Sequence, residues 1–120
     1  MSESKLVRLC LAAAPTLGAR LFRNNVGKLQ DRRGTWVAYG LYPGSPDLVG
    51  WMPVTIRPED VGRTVALFVG IEAKRPDGGR VSEDQRRFLT ALETAGAVQG
   101  VVRSVAELET VLAPWRGRQP

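Results

Sequence analysis

Thr64-Val65-Ala66-Leu67-Phe68-Val69-Gly70-Ile71-Glu72-Ala73-Lys74 is an apolar run that ends in two opposite charges one residue apart. Side chains alternate across a strand, so Val65, Leu67, Val69, Ile71 and Ala73 share one face and Ala66, Phe68, Gly70, Glu72 and Lys74 share the other. Both faces are apolar until the final positions, which predicts a central strand covered on both sides. Glu72 and Lys74 then sit where a carboxylate and an ammonium are costly without compensation. A divalent cation would supply it.

Upstream, the turn Gly44-Ser45-Pro46 delivers Asp47 at the start of a second short apolar segment, Leu48 to Met52. The interval between Asp47 and Glu72 is long enough for a strand, a loop and a return strand. The expectation is that Leu48–Met52 pairs with the Glu72 strand, so that two acids and a lysine converge at one end of a sheet.

Composition narrows the chemistry. A length of 120 residues with 43% hydrophobic content predicts one domain, residues 1–120, with a single modest core. No apolar run reaches the roughly 18 to 20 residues needed to span a bilayer, and no leader peptide is visible. The expectation is a soluble, cytoplasmic protein with no membrane partner. Histidine is absent and Cys10 is the only cysteine, which excludes the usual zinc sites, an internal disulfide and Ser-His or Cys-His catalysis. Catalysis is left to carboxylates, lysine, hydroxyls or a hard cation held by oxygen.

The net charge of +5 and a pI near 10.1 suit a polyanionic partner, although solubility alone would also account for them. Basic residues crowd the first third of the chain, and a second group, Lys74, Arg75, Arg80, Arg86 and Arg87, surrounds the candidate acidic site. A basic rim about a small acidic centre fits a phosphodiester, because the rim attracts the backbone while the centre needs a metal to tolerate it. Arg23, Asn24 and Lys28 could bind phosphates, as could Arg75 and Arg80; a solvated charged face is the alternative for each.

Along the chain, Ser2 or Ser4 caps a first helix that Pro15 stops, with Glu3, Val7, Cys10 and Ala14 on one stripe. Glu3 either looks inward or serves as a first-turn acid that favours the helix dipole. Arg20–Asn25 alternates like a half-buried strand, and Thr35–Tyr39 is another strand candidate in a short meander. Pro58-Glu59-Asp60 begins a helical turn. Ser82-Glu83-Asp84-Gln85 is a capping box that opens the clearest helix, which Gly96 closes. Ala97–Arg103 reads as a strand, Ser104-Val105-Ala106-Glu107 repeats the cap for a last helix through Leu112, and 115–120 reads as a loose basic tail. The order of elements predicts one α/β domain, a mixed sheet with helices on both faces.

Pro46-Asp47 followed by Glu72-Ala73-Lys74 resembles the PD-(D/E)xK nuclease superfamily. The series Phe22-Arg23-Asn24-Asn25-x-Gly27, Gly44-Ser45-Pro46-Asp47-Leu48, Ile71-Glu72-Ala73-Lys74 and Ser82-x-x-Gln85, closed by Gly96, is more specific: it resembles the VRR-NUC family in its short stand-alone phage and bacterial form, over Glu3 to about Leu112. The resemblance implies a restriction-endonuclease-like fold and a metal-dependent DNA endonuclease. It implies Mg²⁺ or Mn²⁺ held by Asp47, Glu72, the Ala73 carbonyl and Glu3. Lys74 would orient or deprotonate the attacking water or offset charge on the phosphate, and Gln85 would orient Lys74 or the water. It further implies a homodimer acting on branched DNA, foremost a Holliday junction, with a flap or general DNA nuclease as the alternative.

From the residues alone, other readings stay open. Asp47 could be a turn acid bonding its own backbone, Glu72 and Lys74 a salt bridge at a strand end, and Gln85 a helix cap and nothing more. Outside catalysis, the alternatives are a nucleic-acid-binding module and a small structural protein with no nucleic-acid role.

Overall fold

The computed structural model describes residues 1–120, which form two compact units, Met1–Pro53 and Val54–Pro120. In the first unit, α1 (Glu3–Ala13) is capped by Ser2, whose Oγ accepts the Lys5 N–H at 3.1 Å. It passes into a 3-10 turn over Ala14–Leu17 that accommodates Pro15. Val7, Cys10 and Leu11 are half-buried and Ala14 is buried, whereas Glu3 is exposed in the first turn.

β1 (Arg20–Arg23) pairs antiparallel with β4 (Leu48–Trp51), in a register from Arg20 opposite Trp51 to Arg23 opposite Leu48. The Phe22 and Trp51 rings lie 5.3 Å apart, and the Arg20 guanidinium sits 5.7 Å from the Trp51 centroid, so the ladder is tied by an aromatic pair with a cation over it. Between these strands, β2 (Gly27–Gln30) and β3 (Trp36–Tyr39) form an antiparallel hairpin. The expected pairing of Leu48–Met52 with the Glu72 strand is therefore corrected. The turn at residues 41–47 returns the chain onto β1, and the alternating 20–25 segment, with its aromatic and cationic partners for Trp51, is the nearer mate.

In the second unit, Pro58–Asp60 forms a 3-10 turn in which the Asp60 carboxylate accepts the Arg57 N–H at 3.0 Å. β5 (Val69–Ala73) runs parallel to β6 (Val98–Val102), with Glu72 opposite Val101. α2 (Glu83–Thr94) connects them, and α3 (Val105–Leu112) follows. The predicted strand from Thr64 is thus confined to its second half, Val69–Ala73, and Val65 and Leu67 are exposed. The reason is the partner. α2 ends at Thr94, the chain turns at Gly96 in the left-handed conformation at φ 85°, and β6 opens only at Val98. A ladder can be no longer than its shorter strand.

Two glycines set how the helices lie on this βαβ unit. A Cβ at Gly70 would run into the Leu92 side chain of α2, and one at Gly100 would come within 2.8 Å of Val111 on α3. Gly70 and Gly100 lie on opposite faces of the ladder, so α2 covers the face that carries Glu72 and α3 covers the other. Leu92 is completely buried. The terminal segment, expected as a loose tail, makes a 3-10 turn at Ala113–Trp115 and places the Arg118 guanidinium 4.9 Å from the Trp115 ring. No helix is long and apolar enough to cross a membrane.

Candidate active site

The parallel ladder brings Glu72 and Lys74 onto the face covered by α2, and the Ser82 cap fixes where α2 begins. Ser82 Oγ accepts the Gln85 N–H at 3.0 Å, and Gln85 Oε1 accepts the Ser82 N–H at 2.9 Å. With its oxygen committed to the cap, the amide turns its nitrogen to the strand: Gln85 Nε2 donates to Glu72 Oε1 at 2.9 Å. Lys74 Nζ approaches the same Oε1 at 3.4 Å. Both readings of Gln85 hold at once, since one amide caps the helix and holds the acid.

The Glu72 and Lys74 side chains are 28% and 17% exposed. At that burial an ion pair forfeits much of its hydration and is a weak source of stability, so this geometry is better suited to holding a carboxylate in place. Below it, Gly70, Phe88, Leu89 and Leu92 form an apolar floor to a recess of about 360 Å³. Ala73 is exposed in the ladder opposite Val102, and the Lys74 N–H donates to the Val102 carbonyl at 3.0 Å.

The loop after Lys74 is fastened by a residue that the sequence reading treated only as the end of a strand. The Arg103 guanidinium donates to the carbonyls of Arg75 at 2.7 Å and Gly79 at 3.0 Å, and also to that of Gly78. Five rigid donors suit a turn whose carbonyls converge. The available signal was a lone arginine closing an apolar strand immediately before a helix cap.

In the first unit, Asp47 is exposed beside a cleft of about 530 Å³ lined also by Asn24, Asn25, Val26, Tyr39 and Ser45. Asn24, expected at the phosphate-binding surface, is buried at 8% exposure. Its Nδ2 donates to Ser45 Oγ at 2.6 Å and to the Pro46 carbonyl at 2.8 Å, its Oδ1 accepts the Leu41 N–H at 3.0 Å, and its backbone N–H donates to the Asp47 carbonyl at 2.8 Å. Asn24 thus secures the turn that presents Asp47, and a buried amide so occupied has no donor left for a phosphate. The Asp47 carboxylate carries none of the turn's bonds. Asp31 shows what a turn acid looks like here: its Oδ1 accepts the N–H groups of Arg33 and Thr35 at 2.8 and 2.9 Å.

The remaining expected DNA contacts, Arg23 and Lys28 in the first unit and Arg75 and Arg80 in the second, are all exposed. Nowhere do three acidic or cysteine side chains gather as a metal-binding group, and Glu3 shares no such cluster. Of the expected site residues, Glu72, Lys74 and Gln85 are brought together around one carboxylate oxygen.

No curated protein and no solved structure matches the chain. The VRR-NUC domain model matches residues 18–106. That span takes in most of both units and includes Asn24, Asp47, Glu72, Lys74, Gln85 and Arg103, while Glu3 lies ahead of it. With three quarters of its length matched, the chain belongs to the VRR-NUC family and has that family's restriction-endonuclease-like α/β fold.

Proposed function

We propose that this VRR-NUC nuclease is a divalent-metal-dependent, structure-specific DNA endonuclease whose preferred substrate is a four-way junction, and that residues 1–120 act as one nuclease domain. The observation that carries the reading is the arrangement at the end of β5, where Gln85 and Lys74 hold Glu72 Oε1 from two sides at 2.9 and 3.4 Å. A helix cap alone requires no carboxylate, and a surface salt bridge requires no glutamine.

The donor chemistry fits a hard cation. Mg²⁺ is bound through one or two carboxylates, with water and substrate phosphate completing its shell, so a dense acidic cluster is unnecessary. Glu72 and Asp47 would supply the carboxylates and the Ala73 carbonyl a neutral oxygen. Glu3 would be a fourth ligand, and Glu3→Asp, which keeps the first-turn charge but shortens the reach, tests it apart from the helix dipole. When bound, such an ion neutralises phosphate oxygens and eases loss of a proton from water.

The chain's own groups do the rest. Lys74 offsets charge that grows on the phosphate or orients the attacking water, which enters in line with the leaving oxygen. Gln85 keeps Glu72 oriented, and the basic side chains Arg23, Lys28, Arg75 and Arg80 bind the DNA backbone. A homodimer would apply two such sites to symmetry-related strands of a branch.

A panel of four-way, flapped and linear DNA incubated with Mg²⁺, Mn²⁺ or EDTA tests the reading. Metal-dependent cuts near the branch of the four-way junction are expected. Binding with no metal-dependent cutting would reduce the protein to a binding module, and equal cutting of linear duplex would make it a general nuclease.

A further inference from the structure

The β2–β3 hairpin contributes one residue, Lys28, to the proposed nuclease chemistry. Its strands make their close contacts with each other and with no other helix or strand to a comparable extent. Seven of its eight strand residues are exposed. A two-stranded hairpin is marginal in water unless something packs on it, yet this one is carefully built. Residues 31–34 close a turn through the Gly34 N–H to the Asp31 carbonyl at 3.0 Å, Gly34 takes φ 80°, and the Asp31 carboxylate binds the backbone at Arg33 and Thr35. At the base, the Tyr39 ring occupies the space where Gly27 lacks a side chain.

The turn presents Arg32 and Arg33 at its apex. Its one acid, Asp31, is engaged with the backbone. Register places Lys28, Gln30, Trp36 and Ala38 on one face, and Trp36 is 65% exposed there. An exposed indole between cations fits a nucleic acid: guanidinium groups take phosphates, and the aromatic ring takes the face of a base. A second copy of the chain fits the tip less well, because a two-fold contact through it would oppose arginine to arginine. Inside a duplex every base is stacked on its neighbours, so an indole finds an open face only where stacking is interrupted.

We infer that the β2–β3 hairpin is a branch-reading arm, in which Arg32 and Arg33 grip phosphates and Trp36 stacks on a base unstacked at a DNA branch point. This role rests on the protein being a nuclease, and it assigns the structure preference to the arm.

The test measures binding in EDTA, where no cutting intrudes, to a synthetic four-way junction carrying 2-aminopurine at the branch and to linear duplex of the same length. Trp36→Ala should weaken junction binding about tenfold, within the range for loss of one base–aromatic stack, leave duplex binding unchanged and abolish 2-aminopurine quenching. Trp36→Phe should restore most of both. Arg32→Ala/Arg33→Ala leaves the Asp31 bonds intact, because these go to backbone, and should lower the salt slope of log K on both DNAs by about two. Wild-type junction affinity and quenching in folded Trp36→Ala would overturn the inference. So would conversion of a dimer to a monomer by Trp36→Ala, read by light scattering, with DNA binding per chain preserved. Failure of the wild type to cut in Mg²⁺ sinks the nuclease reading instead, and is scored separately.

Discussion

The two ends of the Gln85 amide are used differently: Oε1 accepts the Ser82 N–H and Nε2 donates to Glu72 Oε1, each at 2.9 Å. Substitution can separate these uses. Gln85→Glu keeps an acceptor for the cap but replaces the donor with a like charge beside Glu72. Junction cleavage should fall at least tenfold while the melting temperature moves little. Gln85→Ala loses the cap as well and should cost about 0.5–2 kcal/mol of stability, seen as a lower melting temperature in the same assay. Glu72→Ala and Lys74→Ala should each abolish most cleavage and leave junction binding measurable; near-normal turnover in both would refute their assigned roles. The cap was legible because it is a local pattern of four residues. The reach of Gln85 Nε2 was not, since that depends on a strand far away in sequence. Asn24 shows the same limit: a polar residue after an alternating strand looks the same in sequence whether it faces a phosphate or the inside of a turn.

At the scale of elements, the βαβ unit depends on close approach of α2 to β5 over Gly70, with Leu92 as its completely buried anchor. Leu92→Ala should destabilise the protein by about 2–5 kcal/mol, and Gly70→Ala by about 1–3 kcal/mol through overpacking, both measurable by denaturant unfolding. In the other unit, Asn24→Ala strands the Pro46 carbonyl and the Leu41 N–H, at a cost of about 1–3 kcal/mol; faster amide exchange confined to residues 41–47 would identify the turn as the seat of the loss. Helices were legible almost to the residue, because Ser2, Ser82 and Ser104 cap them through contacts within one turn. Strands were legible in kind but less so in extent or partner. Thr64–Phe68 has the composition of a strand yet lacks a mate, and Leu48–Trp51 found its mate in Arg20–Arg23.

For the whole molecule, a net charge of +5 and exposed Arg23, Lys28, Arg75 and Arg80 are what the proposed DNA binding would use for phosphate contacts. Junction binding without metal should weaken steeply between about 50 and 200 mM salt, in a linear log–log titration; a flat titration would count against any nucleic-acid role. The family was legible from short motifs in a fixed order, and the VRR-NUC match over residues 18–106 bears that out. The motif series could not convey how its segments are held, because Arg103 and, apart from one bond to Ser45, Asn24 bind backbone groups, which carry no sequence signature.

The grip of Arg103 on the 75–79 carbonyls bears on the order in which the protein comes into being. A polypeptide still on the ribosome, with Glu72 and Lys74 already emerged and residues 98–103 still inside the exit tunnel, has neither the neighbouring strand nor the guanidinium that gathers the backbone beyond the lysine. Domains take form as units during synthesis, so the expected order is that the Glu72 site assembles only after residues 98–103 have followed it out.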